Sequence, residues 1–119
     1  MKCYSLLLGA RHTAARGPRF APADDRRIRE ITQRHFPDGF TILEATGGWF
    51  DPERNRFVME QSRQILVCAP DRRALSAWCR ELAKALEQEE LLAVELGPAL
   101  RFRNRLRPVR RRRRKAPRR

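Results

Sequence analysis

Trp49, Glu60 and Ser62 are the side chains whose types and spacing come nearest to a site. Glu60 and Ser62 stand two residues apart, so on a strand they share a face. The segments around them read as two extended runs, 40–50 and 57–69, joined by Asp51-Pro52-Glu53-Arg54-Asn55-Arg56, which is rich in turn formers. A symmetrical loop places position 50 opposite 57, Ile42 opposite Ile65 and Glu44 opposite Arg63. Trp49 and Gly47 then lie on the face that carries Glu60 and Ser62. An indole plane beside a carboxylate, with glycine clearing space, suits a flat or cationic ligand. The same residues equally describe a Trp packed over a hairpin beside a solvated Glu.

For catalysis the set is thin. Ser62 has no histidine near it in sequence, and the chain holds only His12 and His35. His35 falls at the end of a helical apolar face, where a lone imidazole meets the last helix carbonyls. His12 could work as an acid–base partner of Glu44 or Glu60 only if its loop folds over the sheet. Metal-ligand spacings of the H-x-x-x-H or C-x-x-C kind are missing, as are glycine-rich phosphate loops. No cofactor is expected. Cys3, Cys68 and Cys79 form an odd, scattered set, a poor disulfide framework and a poor zinc site. Each is expected to be a small buried apolar residue in a reduced, cytoplasmic protein.

The strongest electrostatic signal is at the C-terminus. Residues 101–119 hold 11 Arg and one Lys and no acid, out of a net charge of +13. Residues 1–100 keep 15 basic groups against all 14 acids, so the body is near neutral. Arg110, Arg111, Arg112, Arg113, Arg114, Lys115, Arg118 and Arg119 can meet about seven or eight phosphates. Guanidinium forks match phosphate oxygens without reading base sequence. Nucleic acid or another polyanion is therefore the expected partner of this tail. The bland alternative is an extension that serves only solubility. Beyond Pro108 only Val109 and Ala116 are apolar, so the segment cannot offset its ordering entropy and is expected to be disordered.

The positioning elements follow from periodicity. Residues 3–8 are a compact apolar run ended by Gly9, which suits a central strand rather than a signal peptide, since Arg11 and His12 interrupt it. No stretch approaches the roughly 20 apolar residues of a membrane span. The loop 9–22 carries Arg11, His12, Arg16 and Arg19, either a solvated connection or an anion contact. Residues 23–36 read as a helix with Asp24 and Asp25 in the first turn and Ile28, Ile31, His35 and Phe36 on one face. Asp71 can cap a second helix, reaching about Glu89, whose stripe is Leu75, Trp78, Cys79, Leu82 and Leu86. Residues 91–96 form a last strand, and the run 101–107 alternates in a way that an edge strand would.

The order β-α-β-β-α-β predicts an α+β, ferredoxin-like domain over residues 1–100, an antiparallel four-stranded sheet with both helices on one face. Residues 101–119 form the tail.

Three phrases in this order, Phe36-Pro37-Asp38-Gly39-Phe40-Thr41, Gly47-Gly48-Trp49 and Glu60-Gln61-Ser62, resemble a family of small uncharacterised bacterial domains. The resemblance runs from about Leu6 to Glu95. It implies a ferredoxin-like fold similar in outline to trimeric PII-type signalling proteins, and no activity travels with it. The arginine tail departs from the family pattern.

Two functions remain from the sequence. One is a non-enzymatic binding or regulatory module, homo-oligomeric through its open sheet face or sheet edges, with nonspecific nucleic-acid affinity from the tail. The alternative is a small cofactor-free enzyme of the dimeric α+β-barrel type, with a pocket around Trp49, Glu60 and Ser62.

Overall fold

A computed structural model of the chain describes residues 1–10, 17, 19–88 and 90–102. Six elements follow one another: β1 (Lys2–Gly9), α1 (Pro22–His35), β2 (Thr41–Asp51), β3 (Arg56–Ala69), α2 (Arg72–Ala85) and β4 (Leu92–Pro98). The sheet order is β2-β3-β1-β4, and each neighbouring pair is antiparallel. This is the ferredoxin-like arrangement that the element order predicts.

Strand alternation sorts the two faces. Tyr4, Leu6 and Leu8 of β1 pair with Val67, Ile65 and Arg63 of β3, and all six are buried on the helix side. Leu7, between them, is 40% exposed on the other face. The hairpin register is the expected one, with Phe50 opposite Phe57, Ile42 opposite Ile65 and Glu44 opposite Arg63. Arg63 nevertheless takes its ion pair from α1. Its Nε and Nη2 donate to the Asp25 carboxylate at 2.9 and 3.2 Å, and its guanidinium lies 4.7 Å from the Phe20 ring centroid. The reason is facing. Arg63 points under the helices, where Asp25 waits, and there a buried guanidinium needs a fork-shaped acceptor.

Both helices are capped from sequence. The Asp24 carboxylate accepts the Ala21 N–H at 2.9 Å, and Asp71 accepts the Ala74 N–H at 2.8 Å. The core stripe of α2 is as read: Leu75, Trp78 and Leu82 are buried, and so is Leu86 just beyond the helix. Fully buried Trp78 donates its indole N–H to Thr32 Oγ1 at 3.1 Å, and Thr32 in turn donates to the Ile28 carbonyl at 2.6 Å. Phe36 meets the Trp78 ring edge-on, with centroids 5.1 Å apart. Thus the one polar atom of the largest core side chain is satisfied, which makes its burial favourable.

Three expectations change. First, α2 stops at Ala85 rather than near Glu89. Glu87 adopts a left-handed φ of 54°, and Gln88 turns back to donate its side-chain amide to the Gly9 carbonyl at 3.0 Å. Second, His35 does not meet helix carbonyls. Its Nε2 lies 3.0 Å from Glu81 Oε1, across the groove between the helices. Third, Cys3 and Cys68 are joined in a disulfide, while Cys79 is free and half-buried. The pairing follows from topology: β1 and β3 are antiparallel neighbours, so the start of one faces the end of the other, and Cys3 stands directly opposite Cys68.

Candidate functional site

The long hairpin carries the three residues predicted as a site, Trp49, Glu60 and Ser62. β3 spans 14 residues, but β1 pairs only with Ser62 to Ala69. The portion from Arg56 to Gln61, with its β2 partners Thr46 to Asp51, therefore extends past the end of β1 as a two-stranded arm. At its tip Asp51 Oδ1 accepts the Glu53 N–H at 3.0 Å, and Asn55 supplies a left-handed residue with φ 50°.

Trp49, Glu60 and Ser62 share one face of this hairpin. Trp49 pairs with Val58, Gly47 with Glu60, and Ala45 with Ser62. Trp49 is 40% exposed. The Glu60 carboxylate leans toward β1, over Gly9. A Cβ at position 9 would collide with Glu60 Oε1, so this glycine makes room for the carboxylate. Gly47 is less constrained, since a Cβ there would meet Ser62 Cβ at an ordinary 3.7 Å. A hollow of about 220 Å³ holds Glu60 together with Arg19, Thr46, Met59 and Gln61. Neither Trp49 nor Ser62 lines it. The loop with Arg11, His12 and Arg16, which would have to close over the sheet, lies outside the described residues. So do the tail residues Arg110 to Arg114, Lys115, Arg118 and Arg119. Arg101 and Phe102, the described start of the 101–107 run, carry no strand pairing.

The arm is apolar on both faces. Phe57 is 72% exposed, Met59 60%, Phe50 47%. Phe50 and Phe57 stack edge-on, with centroids 5.5 Å apart, on the face opposite Trp49. The uncovered face of the sheet continues the Trp49 face of the arm through Leu43, Leu7, Leu92 and Val94, all exposed.

A second concavity was not anticipated. At the opposite end of the sheet, a cleft of about 720 Å³ opens beside Cys3 and Cys68, walled by Phe36, Phe40, Leu66 and Leu96. The phrase Phe36 to Thr41, which stood out in the sequence, forms one rim of it. The signal that could have located it was the pairing of β1 with β3.

Electrostatics elsewhere are structural. Glu81 receives Arg34 through Nη1 and Nη2 and His35 through Nε2. Hydrogen bonds from Arg34 first, then from His35, hold its carboxyl down to about 2. Burial pushes the Cys79 thiol up. No described helix is long and apolar enough to cross a membrane.

The fold and this geometry define a ferredoxin-like α+β domain with a projecting hairpin arm. The chain belongs to the family described as "Protein of unknown function (DUF3574)", whose profile matches residues 19–91. No curated protein sequence matches it. Among solved structures it is similar to a phage SAM lyase in the apo state, with 13% identity, a TM-score of 0.56 and coverage of 80% of this chain and 78% of that one. The phage SAM lyase in complex with S-methyl-5'-thioadenosine is similar at 14% identity, TM-score 0.52 and 76% coverage of each chain. The periplasmic divalent cation tolerance protein CutA from Archaeoglobus fulgidus is similar at 11% identity and TM-score 0.52, covering 89% of this chain and 91% of that one. At these identities the likeness is one of fold.

Proposed function

We propose that the protein is a non-enzymatic binding or regulatory module that works as a homo-oligomer, with the arginine tail as its polyanion-binding element. One observation carries this reading: the arm projects beyond the sheet with Trp49, Phe50, Phe57 and Met59 exposed. A two-stranded ribbon standing alone in water is marginal, and an apolar one needs a cover. A second copy is the fitting cover. The body is near neutral, so two bodies do not repel one another. Strand β2 also offers an edge of 11 residues with only Glu44 and Asp51 charged, a weakly guarded template for another strand.

The tail's contribution rests on composition. Seven engaged phosphates give a slope of log K against log salt of about −6 on duplex DNA, with little sequence preference. Titrating the full chain, and a chain lacking residues 108–119, onto DNA across a salt series tests it. The expected result is a steep slope that disappears with the truncation. Tight, salt-insensitive binding by the truncated chain would move recognition onto the folded body.

A further inference from the structure

We propose that the cleft at the disulfide end of the sheet is a thiol–disulfide exchange site for a low-molecular-weight thiol of the glutathione class. This site is separate from the arm, and the first tail residue, Arg101, lies at its rim. Both half-cystines, Cys3 and Cys68, line the cleft and neither is fully buried, so a small thiol entering it reaches sulfur directly. The volume, about 720 Å³, falls within the range of small-molecule sites and is too confined for a folded protein partner to fill. Its walls are mostly apolar, with Phe36, Phe40, Leu66 and Leu96 lining it beside the two cysteines. Arg101 adds an exposed guanidinium at the rim, able to hold a ligand carboxylate.

The chemistry balances as two displacements. The thiolate of the incoming molecule attacks one sulfur of the Cys3–Cys68 bond, forms a mixed disulfide there and expels the other cysteine as a thiolate, which takes up the proton that the attacking thiol released. A second molecule of thiol attacks the mixed disulfide. It leaves as the oxidised small-molecule disulfide and releases the second cysteine as a thiol. The protein gains two electrons and two protons, and two thiols are oxidised to one disulfide.

The fold tolerates this exchange. Cys3 and Cys68 are one rung of a ladder that runs from the Lys2–Ala69 pair to the Gly9–Ser62 pair, so β1 and β3 stay paired when the covalent bond opens. Cys79 provides an internal control, a half-buried thiol outside the cleft lining.

The test uses the oxidised full-length chain in native buffer. Reduced glutathione or 2-mercaptoethanol is added, the reaction is quenched by acid and alkylation, and the cysteines are mapped by mass spectrometry. The bond is expected to open in the folded state at a rate that follows thiolate concentration. Thr41→Trp, which narrows the cleft mouth, should slow glutathione severalfold and leave the smaller 2-mercaptoethanol nearly unchanged. Arg101→Ala should likewise slow glutathione selectively, because 2-mercaptoethanol has no carboxylate. In a Cys3→Ser chain, oxidised glutathione should modify Cys68 well before Cys79. Opening only at the global unfolding rate, or equal behaviour of the two thiols in both the Thr41→Trp and Arg101→Ala chains, would overturn the proposal. Equal modification of Cys68 and Cys79 would overturn it as well.

Discussion

The two ends of the sheet are built on opposite principles. At the β1 start, four elements close around the sheet end: Phe36 from the end of α1 meets Trp78 of α2, and a disulfide staples β1 to β3. At the other end β1 gives out, and β2 and β3 continue as an arm without a third strand. At the first end the rings of Phe36 and Trp78 are buried and the indole N–H is satisfied within the chain. The second leaves aromatic rings in water. Stability is therefore expected to concentrate at one end, and the proposed association at the other.

Substitutions at the two ends should separate these properties. The largest effect is expected from Trp78→Ala, which removes a fully buried ring and the donor to Thr32 Oγ1. It should cost about 3–5 kcal/mol in chemical denaturation. A loss well below 1 kcal/mol would mean that the covered end does not hold the fold. Cys68→Ser comes next. Losing a crosslink across 65 residues should cost about 2–4 kcal/mol of stability under oxidising conditions, and nothing comparable after full reduction of the parent.

Thr32→Val follows, with about 1–3 kcal/mol for an indole N–H left without an acceptor. Trp78→Phe in the same background should recover part of it, because the unsatisfied donor is then gone.

A smaller effect belongs to the ion cluster between the helices. The Glu81 carboxyl is depressed to about 2 from a usual 4.5. A depressed carboxyl stabilises the fold fully above its unfolded value and loses that contribution as pH falls toward the folded one. Stability should therefore decline between about pH 4.5 and pH 2 more steeply in the parent than in Glu81→Gln. Denaturation midpoints at pH 6 and pH 2.5, measured in both chains, check the difference. Identical declines would show that solvent screens the cluster completely.

Much of this contrast was legible in the sequence, and the reasons differ by end. The arm could be read because hairpin register is local: a short loop and alternating residues place Trp49, Gly47, Glu60 and Ser62 on one face. The helix stripe ending in Leu86 was equally plain, since spacing of three and four has one helical meaning. Spacing alone does not show the disulfide, because 65 residues separate the pair; topology does. Carried one step further, the β-α-β-β-α-β order already sets the start of β1 against the end of β3, and so Cys3 against Cys68. The partner of Arg63 was missed for a related reason. Register names the residue opposite, Glu44, but not the helix residue beneath, Asp25. Gly9 reads as a strand terminator, and only the sheet shows that it makes room for the Glu60 carboxylate.

The arm is where the account is most exposed. Phe57→Ser and Met59→Ser remove apolar surface that the monomer does not bury, so each should change unfolding stability of the dilute chain by no more than about 0.5 kcal/mol. Their consequence should fall on association instead. The direct measurement is sedimentation equilibrium of the full chain at tens of micromolar, in salt sufficient to screen the tails, beside the Phe57→Ser, Met59→Ser double substitution. The account predicts a discrete oligomer for the parent and a marked shift toward monomer for the variant, with the fold unchanged by circular dichroism. A parent that sediments as a strict monomer, or a variant that assembles as well as the parent, would contradict it.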